Sequence, residues 1–258
     1  MADTTGYVIC TAPRSGSTLL CRMLAATGVA GDPESLFHRP SLDDWAKRIG
    51  VARAPDASDA EFAREIFRAA IETGRGDTPV FAFRQQPHAL RFLCDTLREL
   101  IPEAKTDAAR LARVFGPLRY VHLMRDDKLA QAVSLVIAEQ SGLWHRNADG
   151  SDYERLAPPK EPVFDPDAIA AAIEDFVIHD RKWNLWFAAN DIEPYRLGYE
   201  DLIAAPEAEL SRLLAWLDLD SSRAQGVQPP LARLADDVNR DWMDRYIAES
   251  RVDGRNER

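Results

Sequence analysis

The chain has 258 residues, 46% of them hydrophobic, enough to bury the core of one α/β domain with at most a small subdomain. Its 32 Lys and Arg against 42 Asp and Glu give a formal charge of −10, which excludes a protein that grips nucleic acid over a broad surface. Any anionic ligand therefore has to be held by local cations and oriented amides. The three cysteines, Cys10, Cys21 and Cys94, are far apart, and the first two sit among apolar residues, which points to a reduced intracellular protein. No run approaches the roughly 18 apolar residues of a membrane span, and Met1-Ala-Asp-Thr-Thr-Gly6 lacks the basic and apolar parts of a signal peptide. A cytoplasmic protein with no integral membrane segment is expected.

Tyr7-Val-Ile-Cys10 is a short apolar run ending in a Pro/Ser/Gly turn, and Leu19, Leu20, Met23 and Leu24 follow at helical spacing, giving strand, loop, helix. Residues 59–73 and 87–100 read as helices, with a buried strand at 79–83 (Pro-Val-Phe-Ala-Phe) between them. A third strand at 119–124 leads into a helical pattern through Leu135 and Ile137. Residues 147–166 are rich in Asp, Pro and Gly with little apolar periodicity. They read as a surface loop, either a lid over an acceptor across 146–166 or a solvated connection without a role. A helix at 167–190, a strand at 194–199 and helices at 206–217 and 241–250 complete the chain. Alternating strands and helices predict an α/β fold with a parallel sheet flanked by helices, in a single domain over 1–258. Ligands of such sheets sit beyond the carboxyl ends of the strands, where the loop at 11–18 and the turn at 125–127 fall.

The loop Thr11-Ala12-Pro13-Arg14-Ser15-Gly16-Ser17-Thr18 runs from strand into helix and aims backbone N–H groups and the positive end of the helix dipole at one point. Gly16 lets the backbone approach an anion closely, Ser17 and Thr18 add hydroxyls, and Arg14 offers a charged fork. The plain alternative is that Ser-Gly-Ser-Thr only caps a helix. Nucleotide kinases and GTPases use the same P-loop NTPase-like three-layer sandwich with the pattern G-x-x-x-x-G-K-[ST]. Here Ser17 stands in place of the lysine, Thr11 in place of the leading glycine, and the third strand ends at Arg125 where an acidic magnesium partner belongs. Sulfuryl transfer suits the loop better, because the moving group carries less charge than a terminal phosphoryl and needs no metal.

The segment Thr11 to Leu20, followed by Thr27-Gly-Val-Ala-Gly-Asp-Pro-Glu34, resembles the bacterial trehalose 2-sulfotransferase-like family. Arg125-Asp-Asp, Gln131-Ala-Val-Ser134 and Trp144 resemble its second donor-binding motif, and Trp183-Asn-Leu-Trp186-Phe, Tyr199-Glu-Asp-Leu202, and Leu231 to Asp236 followed by Trp242 extend the resemblance less specifically, in order and spacing. The resemblance implies 3′-phosphoadenosine-5′-phosphosulfate as co-substrate, bound by Arg14, Ser15, Gly16, Ser17 and Thr18, with Arg125 and Ser134 holding its 3′-phosphate. It also implies a small hydroxyl acceptor of sugar type and a homodimer. The chain departs from the family at Arg84, where members often carry a lysine, and near Glu34, because some members place the acid one residue later, at Ser35 here.

An acceptor hydroxyl has to lose a proton as it attacks sulfur, and Glu34 is the first choice of base, with Asp32 and His38 competing. Arg14 then stabilises charge on the leaving phosphate. Arg84, Trp45 and Trp144 are candidates for acceptor binding, the two indoles by stacking on a sugar ring. Trp183, Trp186, Phe187 and Trp216 recur at helical spacing and read as core, as does His122 within its strand, whereas Arg233 is a weaker candidate for the donor site. No His/Cys/Asp cluster has metal-site spacing, so no metal is expected. The competing readings are an atypical nucleotide kinase and a non-catalytic nucleotide- or carbohydrate-binding module on the same fold.

Overall fold

An apolar run with no polar face forms a strand covered on both sides, and β1 (Gly6–Thr11) is buried along its whole length. The computed structural model describes residues 6–147, 149–229 and 237–256. After β1 come α1 (Ser17–Ala26), α2 (Leu42–Ile49), α3 (Asp59–Arg75), β2 (Phe81–Gln85), α4 (Pro87–Leu100), α5 (Asp107–Phe115), β3 (Leu118–Met124) and α6 (Lys128–Ser141). The second half holds β4 (Leu143–Arg146), β5 (Asp152–Arg155), α7 (Pro166–Ala189), β6 (Tyr195–Gly198), α8 (Tyr199–Ala204), α9 (Pro206–Trp216), a 3-10 turn at Ser221–Ala224 and α10 (Asp237–Asn256). Strands β2, β1, β3 and β6 lie side by side in that order and all parallel, while β4 and β5 form a separate antiparallel hairpin.

Alternate side chains of β1 serve two cores. Val8 and Cys10 pack with Phe81, Phe83 and the aromatic rings of Phe37, Phe67, Phe115 and Trp183. Tyr7 and Ile9 face Leu20, Leu24, Val121, Leu197 and Leu213 on the other side. The sheet is thus the middle of three layers, as the alternating pattern predicts. Between β1 and β3 the chain order reverses direction across the sheet, and their register pairs Thr11 with Leu123. Whatever follows these two residues meets at one carboxyl edge.

Three sequence expectations need correction. The second strand starts later than Pro79, because Thr78 Oγ1 holds the amide of Val80 in a turn, and it runs on through Arg84 and Gln85. Arg84 is therefore a strand residue at the sheet edge. Trp45 is 1% exposed. Its ring meets Phe37 at 5.0 Å and Phe92 at 5.1 Å, and its N–H donates to Arg39 O at 2.5 Å, so it anchors α2 in the core and cannot stack on a sugar. Finally, the segment expected as a loop at 147–166 contains β5, whose polar side chains lack apolar alternation because the hairpin lies on the surface. It is tied down by Leu156 N to Gly142 O at 2.8 Å and Arg155 Nη1 to Ser141 O at 3.0 Å. Helices α2 and α5, absent from the sequence expectations, are too short for periodicity to register, although Ser41 and Thr106 cap them. No helix among the described residues is long and apolar enough to cross a membrane.

His122 is a core residue, as expected: Nδ1 accepts from Arg196 Nη1 at 3.1 Å and Phe187 lies 5.2 Å away. Burial, then Arg196 and Lys128, push its pKa down to about 4. The unfolded chain, with an ordinary histidine near 6.5, takes up the proton first as pH falls. The stability His122 confers is present above about pH 6.5 and is lost on the way down to about pH 4. Melting curves across that window should therefore steepen for the wild type relative to His122→Gln, by on the order of 1–3 kcal/mol at the acid end. Parallel curves would show that another group carries the pH dependence.

Candidate functional site

The turn after β1 is pinned from below before it can hold anything above. Thr11 Oγ1 donates to Leu123 O at 3.0 Å, Ser15 Oγ donates to Ala12 O at 2.8 Å and contacts Thr11 Oγ1, and Gln131 Nε2 donates to Pro13 O at 2.7 Å. The Ser15 hydroxyl is thus spent inside the loop, leaving its amide for a ligand. Gly16 is the N-cap of α1 at φ 80°, and Ser17 and Thr18 form the first turn, whose N–H groups have no partner within the helix. The need for glycine is more specific than the sequence suggests: a Cβ at position 16 would stand 2.4 Å from Cδ2 of Tyr199.

The β1–β3 register brings Arg14, Arg125 and Ser134 together as expected. Arg14, itself at φ 60°, donates through Nε to Ser134 Oγ at 3.0 Å and through Nη1 to Trp144 O at 2.5 Å. Arg125 Nη1 donates to Arg14 O at 3.2 Å, and its guanidinium lies 4.7 Å from the ring centre of Tyr199. Burial first, and the neighbouring Arg125 second, bring the Arg14 pKa down to about 10. Both groups are still cationic at neutral pH, and two like charges held this close favour a multiply charged anion between them. The turn carrying Arg125 is fixed by Glu200, whose carboxylate accepts from the amides of Asp126 at 3.2 Å and Asp127 at 3.3 Å. Asp127 in turn caps α6 through Ala130 N at 2.8 Å.

Arg84 closes the other side of the loop. Its Nη1 donates to Ser17 Oγ at 3.0 Å and Thr18 Oγ1 at 2.7 Å, and its Nε donates to Ser35 Oγ at 2.8 Å. Glu34 arrives beside it because its backbone bridges to Phe83 in parallel fashion, with Arg84 N donating to Glu34 O at 2.9 Å. The Glu34 carboxylate pairs with Arg48 Nη2 at 2.7 Å, the side chains being 44% and 52% exposed. An open cleft of about 560 Å³ is lined by Thr18, Arg22, Asp32, Glu34, Arg84 and Glu154 among others. Burial, with the charge of Glu34, raises the Asp32 carboxyl above its usual value. His38 does not line the cleft; it meets His88 edge-on at 4.8 Å, and burial pushes it down to about 4. Trp144 is half-buried with its ring centre 6.0 Å from the Arg14 guanidinium, so it lies beside the loop after β1 and does not line the cleft. Two hollows of about 540 and 490 Å³ on the α9 side contain none of these residues.

Several site residues escaped the sequence. Tyr199 and Glu200 stood in a segment that resembles the family but had no site role from the sequence, although they follow a strand at the sheet's ligand edge. Tyr153 and Glu154 reach the cleft from the hairpin and Arg48 from α2, while His145 of the hairpin meets Thr18, with no motif to mark them. Arg233 lies outside the described residues, as do the rest of 230–236. Among the described residues, no three His, Cys, Asp or Glu side chains converge in a way that could hold a metal ion.

A parallel sheet with a strand–loop–helix anion site and two converging arginines defines a phosphate-loop type of α/β protein that lacks the lysine and acid of nucleotide kinases. A model of the Stf0 sulphotransferase family matches residues 6–249, and the chain belongs to that family. It is similar to two proteins named trehalose 2-sulfotransferase. The one from Mycobacterium tuberculosis is 28% identical over 95% of both chains, and the one from Mycolicibacterium smegmatis is 26% identical over 97% of both. A solved sulfotransferase domain from the Synechococcus PCC 7002 olefin synthase aligns at 17% identity and TM-score 0.46, covering 93% of this chain and 81% of that one.

Proposed function

We propose that this sulfotransferase moves a sulfuryl group from 3′-phosphoadenosine-5′-phosphosulfate to a hydroxyl of a carbohydrate or glycolipid, by in-line attack and without a metal. The observation that carries the reading is the meeting of Arg14, Ser134 and Arg125 beside the Ser15–Thr18 amides. One anion fits the loop and a second fits the Arg125–Ser134 side, which is what a donor phosphorylated at both the 3′ and 5′ positions requires. Arg84 and the hydroxyls of Ser17 and Thr18 are placed to stabilise charge on the sulfuryl oxygens and the leaving phosphate. Glu34 lines the cleft on the other side of Arg84 and takes the acceptor proton. The names of the two relatives suggest a sugar acceptor, and a cleft lined by carboxylates and arginines suits a neutral polyhydroxyl ligand.

A thermal-shift comparison tests the donor. With 3′,5′-adenosine bisphosphate at about 100 times its Kd, preferential binding adds about 2.7 kcal/mol and should raise the melting temperature by about 5 °C or more. Stabilisation by ADP with magnesium in its place would overturn the reading. Bisphosphate binding with no transfer to any of a panel of sugars and glycolipids would reduce the protein to a binding module.

A further inference from the structure

The hairpin of β4 and β5 carries a histidine with no assigned role. His145 Nε2 lies 3.0 Å from Thr18 Oγ1, and its side chain is only 21% exposed. Thr18 Oγ1 already accepts Arg84 Nη1 at 2.7 Å. A guanidinium can only donate, so the single hydroxyl hydrogen of Thr18 needs an acceptor elsewhere, and His145 Nε2 is within reach of it. The charged groups around the imidazole agree with an accepting nitrogen. Burial first, then Arg14 and Arg84, push His145 down to about 3, so the ring is neutral at physiological pH. Glu154, which follows on β5, has Oε2 at 3.5 Å from the same nitrogen, outside ordinary N–H···O distance, and its side chain is 44% exposed. Tyr153 lies edge-on to the imidazole at 6.3 Å and binds Arg22 Nη1 through its hydroxyl at 3.1 Å, which holds the hairpin against α1.

We propose that His145 is a positioning residue of the donor loop, the end of a relay in which Arg84 Nη1–H donates to Thr18 Oγ1 and Thr18 O–H donates to His145 Nε2. By fixing the Thr18 hydroxyl, it fixes the guanidinium of Arg84 against the loop, where Ser17 Oγ accepts from the same Nη1 and Ser35 Oγ holds Nε. His145 neither touches the reacting atoms nor takes the acceptor proton, because its accessible lone pair is occupied by Thr18. The hairpin thereby completes the donor site from across the cleft.

The signature is a tautomer. Long-range proton–nitrogen NMR on the donor-free protein at pH 7 should show His145 protonated at Nδ1 and bare at Nε2, with the Nε2 resonance moving in Thr18→Val. An Nε2–H tautomer, or a resonance indifferent to Thr18→Val, overturns the proposal. The kinetic consequence rests on the sulfuryl-transfer reading above. His145→Ala should lower kcat about tenfold while the Kd for 3′,5′-adenosine bisphosphate changes less than about threefold, and His145→Gln, whose amide oxygen reaches the same point, should restore most of kcat. In a Thr18→Val background, His145→Ala should cost little more, since both removals break one relay. Additive losses, or a glutamine variant as poor as alanine, overturn it. If the wild type transfers no sulfuryl group, the functional reading fails and the tautomer still decides the relay.

Discussion

Replacing Arg14 with alanine is expected to weaken binding of 3′,5′-adenosine bisphosphate by about 30- to 300-fold and to lower turnover by at least as much, without lowering the melting temperature of the ligand-free protein. The first half follows from position. Arg14 is half-buried between the loop and Ser134, where solvent screens its charge only in part and each hydrogen bond to a phosphate oxygen is charge-assisted. About 2–3.4 kcal/mol is a reasonable loss for removing such a group, and that is the affinity change stated. The second half follows from what the free site tolerates. Arg14 is held close to Arg125 in a desolvated place, and both the burial of its charge and the like charge beside it disfavour the empty state. Calorimetry with the bisphosphate and a melting curve measure the two halves separately. Arg14→Lys should recover little, since a point charge cannot bridge Ser134 Oγ and Trp144 O as the fork does. Weakened binding accompanied by a large drop in melting temperature would mean that Arg14 holds the loop together and not the ligand.

Glu34→Gln is the other change expected to act strongly, and in the opposite column: kcat should fall about 100- to 10,000-fold while bisphosphate affinity stays within about twofold. Glutamine keeps the size of the side chain and the backbone bridge to Phe83 but cannot take a proton from the acceptor. The lost pair with Arg48 is half-exposed and worth no more than about 1 kcal/mol, so the fold should be undisturbed. Single-turnover rates at saturating acceptor are the measurement. An unchanged rate would remove Glu34 as base and leave Asp32, which lines the same cleft with a raised carboxyl, as the next residue to change.

The parts of the site that the sequence revealed are those built on regular elements. The apolar run at 7–10 and the pattern around 119–124 give two parallel strands, and because ligands gather where such strands end, Arg14, Arg125 and the Ser134 helix could be brought together before any coordinates. The parts that stayed hidden depend on contacts between distant segments. Arg14 meets Trp144 across 130 residues and Thr18 meets His145 across 127, and the hairpin that makes both contacts has no apolar alternation to mark its strands, although Asp149-Gly150 lies in its turn. Trp45 misled for a related reason. A solitary indole in an irregular stretch reads the same whether it faces solvent or fills a core, and only the rings of Phe37, Phe67 and Phe92, which come from other segments, decide the matter.

The single backbone bridge between Glu34 and Phe83 has a bearing on redesign. Because Arg84 N donates to Glu34 O, the two backbone segments that carry the carboxylate and the guanidinium are tied to each other. A transplant of residues 32–35 from a homologue with a different acceptor would move Arg84 as well, and with it the contacts to Ser17 and Thr18. If the proposed roles of Glu34 and Arg84 hold, exchanging acceptor preference in this scaffold calls for grafting the loop and the end of β2 as one cassette, since the backbone link between them would be broken by moving either piece alone.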